Sequence, residues 1–171
     1  PSKLERIDVH VHVFAEQSSA FPREASDLAP RSRSATAEQL LREMDSAGVE
    51  RAILIQMGGT DIEHHRYLSC CLEQWPDRFR GVGRLNVQDP SAVVRIPALV
   101  DATGMEGIRL TGILGDPAAE HARDLSAHSL LEQAAALHLQ VNLYTQSSQV
   151  PCIELLVRAF PQVAFSLDHL G

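Results

Sequence analysis

Short apolar runs alternate with stretches of helical period from one end of the 171-residue chain to the other. Ile7–Phe14, Arg51–Gln56, Phe79–Leu85, Met105–Leu110, Gln140–Tyr144 and Ala164–Asp168 read as strands. Between them, Thr36–Ala47, a stretch from Thr60 to about Gln74, Asp89 through Val100, Ser126–Leu137 and Gln149–Phe160 read as helices. The stops agree with this division. Thr36 with Gln39 three residues on is an N-cap pattern, Gly48 follows the last periodic residue, and Thr60-Asp61-Ile62-Glu63 looks like a second capping box. Pro97 is expected to kink the third helix, whereas Pro151 falls early enough in the fifth to be tolerated.

Strand and helix in strict turn mean parallel strands joined by right-handed crossovers. Two architectures satisfy that pattern. A doubly wound nucleotide binder places a glycine-rich turn after its first strand; here Ala15-Glu16-Gln17 follows, and Gly81-x-Gly83 lies inside a strand. The expected fold is therefore α/β, a (β/α)8 TIM barrel forming one domain over residues 1–171. Such barrels run to about 250 residues, so the barrel is expected to be truncated after its sixth strand, its C-terminal part missing. Its free strand edges would favour a homo-oligomer.

Composition narrows the partners. Apolar content of 44% and charged content of 22% are those of an ordinary globular chain. A net charge of −7 argues against nucleic acid and against an anionic membrane, but not against a small anionic substrate met by local arginines. No apolar run is long enough to span a bilayer, and Cys70, Cys71 and Cys152 form no CxxC pair, so a reducing, cytoplasmic setting is expected. Cys70 and Cys71 read as buried packing. Ala15–Ala35 has no clear period and reads as a lid, a binding loop or a mobile surface excursion.

The chemistry gathers at strand ends, where barrels of this class keep their active sites. In IDVHVHVF, alternation puts Asp8, His10 and His12 on one face and Ile7, Val9, Val11 and Val13 on the other. Two imidazoles at i and i+2 can converge on one divalent ion at about 2.0–2.1 Å, or on one substrate group. The second strand ends on Gln56, and the fourth carries Arg109, able to clamp a carboxylate through parallel hydrogen bonds. The fifth carries Asn142 and Tyr144, the latter a hydrogen-bond donor or a packing aromatic. The sixth ends on Asp168 and His169, and parity does not decide which of the two looks inward. His64 and His65 fall near the rim, and His121, His128 and His138 read as surface.

With HVH on the first strand, GIRL on the fourth and LDHLG on the sixth, and with WPDRFRGVGRLNVQDP and AFPQVAFSLDHLG between and after them, the chain resembles the amidohydrolase superfamily. More narrowly it resembles the amidohydrolase-2 group of lactonases, pyrone-dicarboxylate lactone hydrolases and aminocarboxymuconate-type decarboxylases. The resemblance implies that His10 and His12 are the first-strand pair and His169 the sixth-strand imidazole, catalytic and, where an ion is bound, its ligands. It implies Arg109 as a substrate-carboxylate contact and Tyr144 as a second; Gln56 is the remaining candidate for substrate binding. Two departures stand out: QVNLYTQ has no fifth-strand histidine, and the catalytic Asp of an eighth strand lies outside the chain.

The expected activity is hydrolysis of a small carboxylated lactone or related cyclic ester. An Asp outside this chain would activate water, and the histidines would polarise the carbonyl with or without zinc or manganese. A metal-dependent decarboxylase of an unsaturated carboxylic acid is the alternative enzyme. A non-catalytic barrel remnant that only binds a ligand or partner is the alternative from another class.

Overall fold

The computed structural model describes residues 5–87, 89, 91–111, 125–145 and 147–170. The expected loop beyond Thr111, with His121, lies outside the described residues.

Six strands stand in chain order in one sheet: β1 (Ile7–Val11), β2 (Arg51–Ile55), β3 (Phe79–Asn86), β4 (Gly107–Thr111), β5 (Gln140–Tyr144) and β6 (Phe165–Leu167). The pairs β1–β2, β2–β3, β4–β5 and β5–β6 are parallel. Helices α1 (Ala37–Ala47), α2 (Arg66–Gln74), α3 (Ala92–Thr103), α4 (Leu125–Ala136) and α5 (Val150–Ala159) fall between successive strands. Consecutive parallel strands, each followed by a helix, are the repeating unit of the (β/α)8 barrel, and six strands of it are present here. No helix among the described residues is long and apolar enough to cross a membrane.

The chain divides into two compact units, one reaching to Arg84 and including Ala102–Met105, the other made of Leu85–Asp101 and the residues from Glu106 on. In the first, α1 starts as its sequence dictates. Thr36 Oγ1 accepts the Gln39 N–H at 3.3 Å, Gln39 Oε1 accepts the Thr36 N–H at 2.9 Å, and Gly48 closes the helix. Its Met44 joins Val13, Ala52, Leu54, Leu68, Cys71 and Phe79 in the core. The second capping pattern sits one residue later than expected. Asp61 opens a 3-10 turn over Ile62–His65, its N–H donating to His64 Nδ1 at 3.3 Å.

β1 departs from simple alternation. Asp8 pairs with Ala52 but Val11 with Leu54, so β1 spends one residue more than β2 over the same rise, a bulge. Asp8 is exposed and its Oδ1 accepts the His10 N–H at 3.1 Å across the bulge. Ile7 and Val9 are 45% and 65% exposed, while Val13, put on the same face by simple alternation, is buried beyond the strand's end.

In the second unit, Ile96, Leu99, Ile108, Leu110, Leu130, Leu131 and Leu143 are fully buried. α3 runs through Pro97 without interruption. β5 matches its expected bounds and pairs with β4 in the register Arg109↔Asn142 and Thr111↔Tyr144. Tyr144 thus follows Asn142 by two on the same face as Arg109.

The segment between β1 and α1 has no helix or strand of its own, yet it is tied down. Phe14 and Ala35 exchange both backbone hydrogen bonds, at 2.8 and 2.9 Å, closing it into an Ω-loop. Arg23, 5% exposed, occupies its middle. Its guanidinium donates to the carbonyls of Ala15 (3.1 Å), Ala29 (2.6 Å), Pro30 (2.6 Å) and Arg33 (3.0 Å), with the Phe14 ring 5.0 Å away. Glu24 N–H donates to the Gly58 carbonyl at 2.8 Å, docking the loop on the turn after β2. A Cβ at Gly58 would stand 2.7 Å from the Glu24 carbonyl oxygen, and one at Gly59 would overlap His64; both have positive φ, so glycine is required twice over.

Candidate functional site

Each unit carries its own group of polar side chains at strand ends. In the first, His10 and His12 meet edge to face, ring centroids 5.1 Å apart. His12 Nδ1 lies 2.8 Å from the Ile55 carbonyl oxygen at the end of β2. A carbonyl only accepts, so the proton is on Nδ1 and the ring's lone pair is on Nε2. That tautomer suits a metal or proton acceptor at Nε2.

Imidazole nitrogens at about 2.0–2.1 Å from one tetrahedral ion put two ring centroids about 5 Å apart. The His10–His12 separation meets that requirement. In ring spacing the pair matches two ligand positions of a divalent ion. Among the described residues no group of three or more His, Cys, Asp or Glu side chains is placed to hold one. His169, the expected third imidazole, belongs to the other unit.

Gln56, expected to contact substrate, has its amide donors engaged within the protein. It is 5% exposed, and its amide Nε2 donates to the carbonyls of Met57 at 3.0 Å and His64 at 2.7 Å. Both amide protons are spent on holding the turn after β2, so it has none to offer a substrate. His65, assigned to the rim from sequence, is fully buried. Its Nδ1–H donates to the Asp61 carbonyl at 2.8 Å and its Nε2 accepts the Arg84 N–H at 3.0 Å. Burial pushes its pKa down to about 4, keeping it neutral and structural. His64 is half-buried, and His128 and His138 are exposed as expected.

Of the three cysteines, all free, Cys71 and Cys152 are buried while Cys70 is exposed, against the expectation for it. On α2, Cys70 stands one position before Cys71 and so points about 100° away from it, to solvent. Burial pushes the Cys71 thiol up to about 12 and the Tyr67 phenol likewise to about 12. The Tyr67 hydroxyl accepts the Ala37 N–H at 3.0 Å at the start of α1.

In the second unit the group is built on β4, β5 and the turn after β6. Arg109 Nε donates to Asp168 Oδ2 at 2.6 Å; their side chains are 12% and 2% exposed. Asn142 Nδ2 donates more weakly to Asp168 Oδ1, at 3.4 Å. The Tyr144 ring lies against the guanidinium, 4.8 Å from its carbon, and 6.0 Å from the His169 ring. Asp168 is thus the inward residue of the pair that parity left open, and His169 is exposed. His169 also holds φ 57°, uncommon for a residue other than glycine and concentrated at functional sites. Arg109 and Tyr144 therefore stand together, with Asp168 and Asn142 completing the group.

The chain was compared with known proteins. A family model described as Amidohydrolase matches residues 7–171. No curated protein matches. Among solved structures, a candidate 2-pyrone-4,6-dicarboxylic acid hydrolase from Pseudomonas putida is similar at 26% identity and TM-score 0.65, over 99% of this chain and 58% of that one. A probable 2-pyrone-4,6-dicarboxylic acid hydrolase from Acinetobacter baumannii, solved with citric acid bound, is similar at 22% identity and TM-score 0.66, over 96% and 57%. An amidohydrolase from Burkholderia multivorans with bound zinc is similar at 18% identity and TM-score 0.73, over 98% and 58%. The chain spans just over half the length of these structures.

Proposed function

Because the chain belongs to the amidohydrolase family, in its amidohydrolase-2 group, we propose that it serves the hydrolysis of a small carboxylated lactone or related cyclic ester. The observation that carries this reading is the His10–His12 pair at the end of β1, one imidazole fixed in its Nδ1–H tautomer by the Ile55 carbonyl. An ester carbonyl becomes open to water when charge developing on its oxygen is stabilised. In this reading His10 and His12 serve that oxygen, His12 once its Nε2 is protonated or where it would hold a divalent ion, and His169 is assigned to the same task as a third imidazole.

Arg109 and Tyr144 bind a carboxylate of the substrate through the guanidinium and the phenol. His10 and His12 are the residues that would hold a divalent ion such as zinc or manganese, which when bound polarises the carbonyl as a Lewis acid. The likeness to two pyrone-dicarboxylate hydrolases supports a dicarboxylated lactone as the first substrate to try.

The test is ring opening of 2-pyrone-4,6-dicarboxylic acid by the full-length protein, followed by loss of pyrone absorbance, with and without added zinc or manganese. Turnover that disappears when the carboxylates are esterified is expected. No turnover of any carboxylated lactone under either condition overturns the reading. A metal-dependent decarboxylase is the second reading, and the same His12 lone pair on Nε2 would serve it. Release of carbon dioxide that stops on adding a chelator would mark it.

A further inference from the structure

Arg109 has two edges that a carboxylate can engage, one formed by Nε with an Nη, the other by the two Nη atoms. The first is already taken at Nε by Asp168 at 2.6 Å. One face of the guanidinium lies against the Tyr144 ring. Asp168 is the more deeply buried partner, 2% exposed against 12%, and is itself steadied by Asn142. The β4–β5 register sets Arg109 beside Asn142 on paired strands, with Asp168 in the turn that follows β6.

We propose that Asp168 is a positioning residue: it grips Arg109 by the Nε edge and so leaves the Nη1–Nη2 edge as the one offered to the substrate carboxylate. The inference rests on the role given to Arg109 in the proposed function. An Arg held this way meets its ligand already oriented, so little side-chain freedom remains to be lost on binding. Without Asp168 the same side chain can present either edge or turn away. The carboxylate contact then weakens while the groups around the reacting carbonyl are unchanged. The signature is therefore in KM rather than in kcat.

The experiment is a double-mutant cycle on the full-length enzyme with 2-pyrone-4,6-dicarboxylic acid: Asp168→Asn, Arg109→Met and the two together. Losing one charge-assisted contact corresponds to about a tenfold to hundredfold change. Asp168→Asn is expected to raise KM by at least about tenfold with kcat within about threefold. The double variant is expected to match Arg109→Met alone, because in this inference the effect of Asp168 on the substrate passes through Arg109. Multiplying KM effects, or a loss in kcat with KM unchanged, overturns the inference.

Should Asp168→Asn fail to fold, Asp168→Glu keeps the charge but displaces the guanidinium. It is expected to raise KM in a folded enzyme; unchanged KM overturns the inference. Should the wild type open no lactone, the proposed activity falls while the grip on Arg109 stays testable. The Arg109 Nε–H is expected to exchange slowly in the wild type and fast in Asp168→Asn. Equal exchange in the two proteins overturns it.

Discussion

His12 is fastened to Ile55: Nδ1 stands 2.8 Å from the carbonyl oxygen that ends β2. That one bond sets the ring's tautomer and links the ends of two neighbouring strands. It also selects what the imidazole can do. A neutral ring with its proton on Nδ1 cannot donate from Nε2, so His12 works there as a ligand or base, or as a donor only once protonated. Nitrogen NMR of the imidazoles at pH 8 is expected to show His12 protonated on Nδ1. An Nε2–H signal for His12 would remove the tautomer argument.

His65 makes stability depend on pH. Its pKa falls from 6.5 in the unfolded chain to about 4 in the fold, which corresponds to about 3 kcal/mol. Between those values the unfolded chain holds a proton that the folded one does not, so stability rises with pH across the window. The contribution is complete above pH 6.5 and is lost as the pH falls through 4. Urea melts from pH 7 to pH 4 are expected to show wild type losing about 2–3 kcal/mol more than His65→Gln. Parallel losses would show that His65 is not held neutral.

Arg23 is expected to be the pin of the Ω-loop. Arg23→Met removes the side-chain donor from the Ala15 and Arg33 carbonyls, while those of Ala29 and Pro30 keep the N–H groups of Ser26 and Arg33. A cost of about 2–3 kcal/mol is expected, together with protease cleavage inside 16–34 at concentrations the wild type survives. A loop equally resistant in both proteins would mean the strand-end contacts alone hold it.

The thiols separate by burial. Cys70 is exposed, while Cys71 and Cys152 are buried. A thiol reagent on the native protein is expected to label Cys70 quickly and the other two only on unfolding. Fast labelling lost in Cys70→Ser identifies it; fast labelling that persists there contradicts the burial of Cys71 or of Cys152.

Local signals were legible in the sequence. Thr36 and Gln39 cap α1 because both partners lie within one turn, and β5 matches to the residue because QVNLY alternates cleanly between turn signals. What escaped depends on partners remote in the chain. Polarity at the end of β2 marked Gln56 for binding, but the amide is consumed by Met57 and His64. Nothing near His65 in sequence announces the Arg84 N–H that it accepts. Arg23 lies in an aperiodic stretch, and its acceptors are backbone carbonyls that any residue could supply. Parity gave the correct face for Arg109, Asn142 and Tyr144, but it could not choose between Asp168 and His169, since β6 has only three residues. The bulge in β1 also broke the alternation on which its faces were read.

The central claim is that His10 and His12 serve the reacting carbonyl. It is tested most directly by kcat for 2-pyrone-4,6-dicarboxylic acid in full-length wild type, His10→Ala and His12→Ala, each checked for an unchanged melting curve. Removing a group that stabilises the developing oxyanion costs about 100–1,000-fold in kcat, and a loss of that size is expected in both variants. Folded variants that keep kcat within about threefold of an active wild type would contradict the claim.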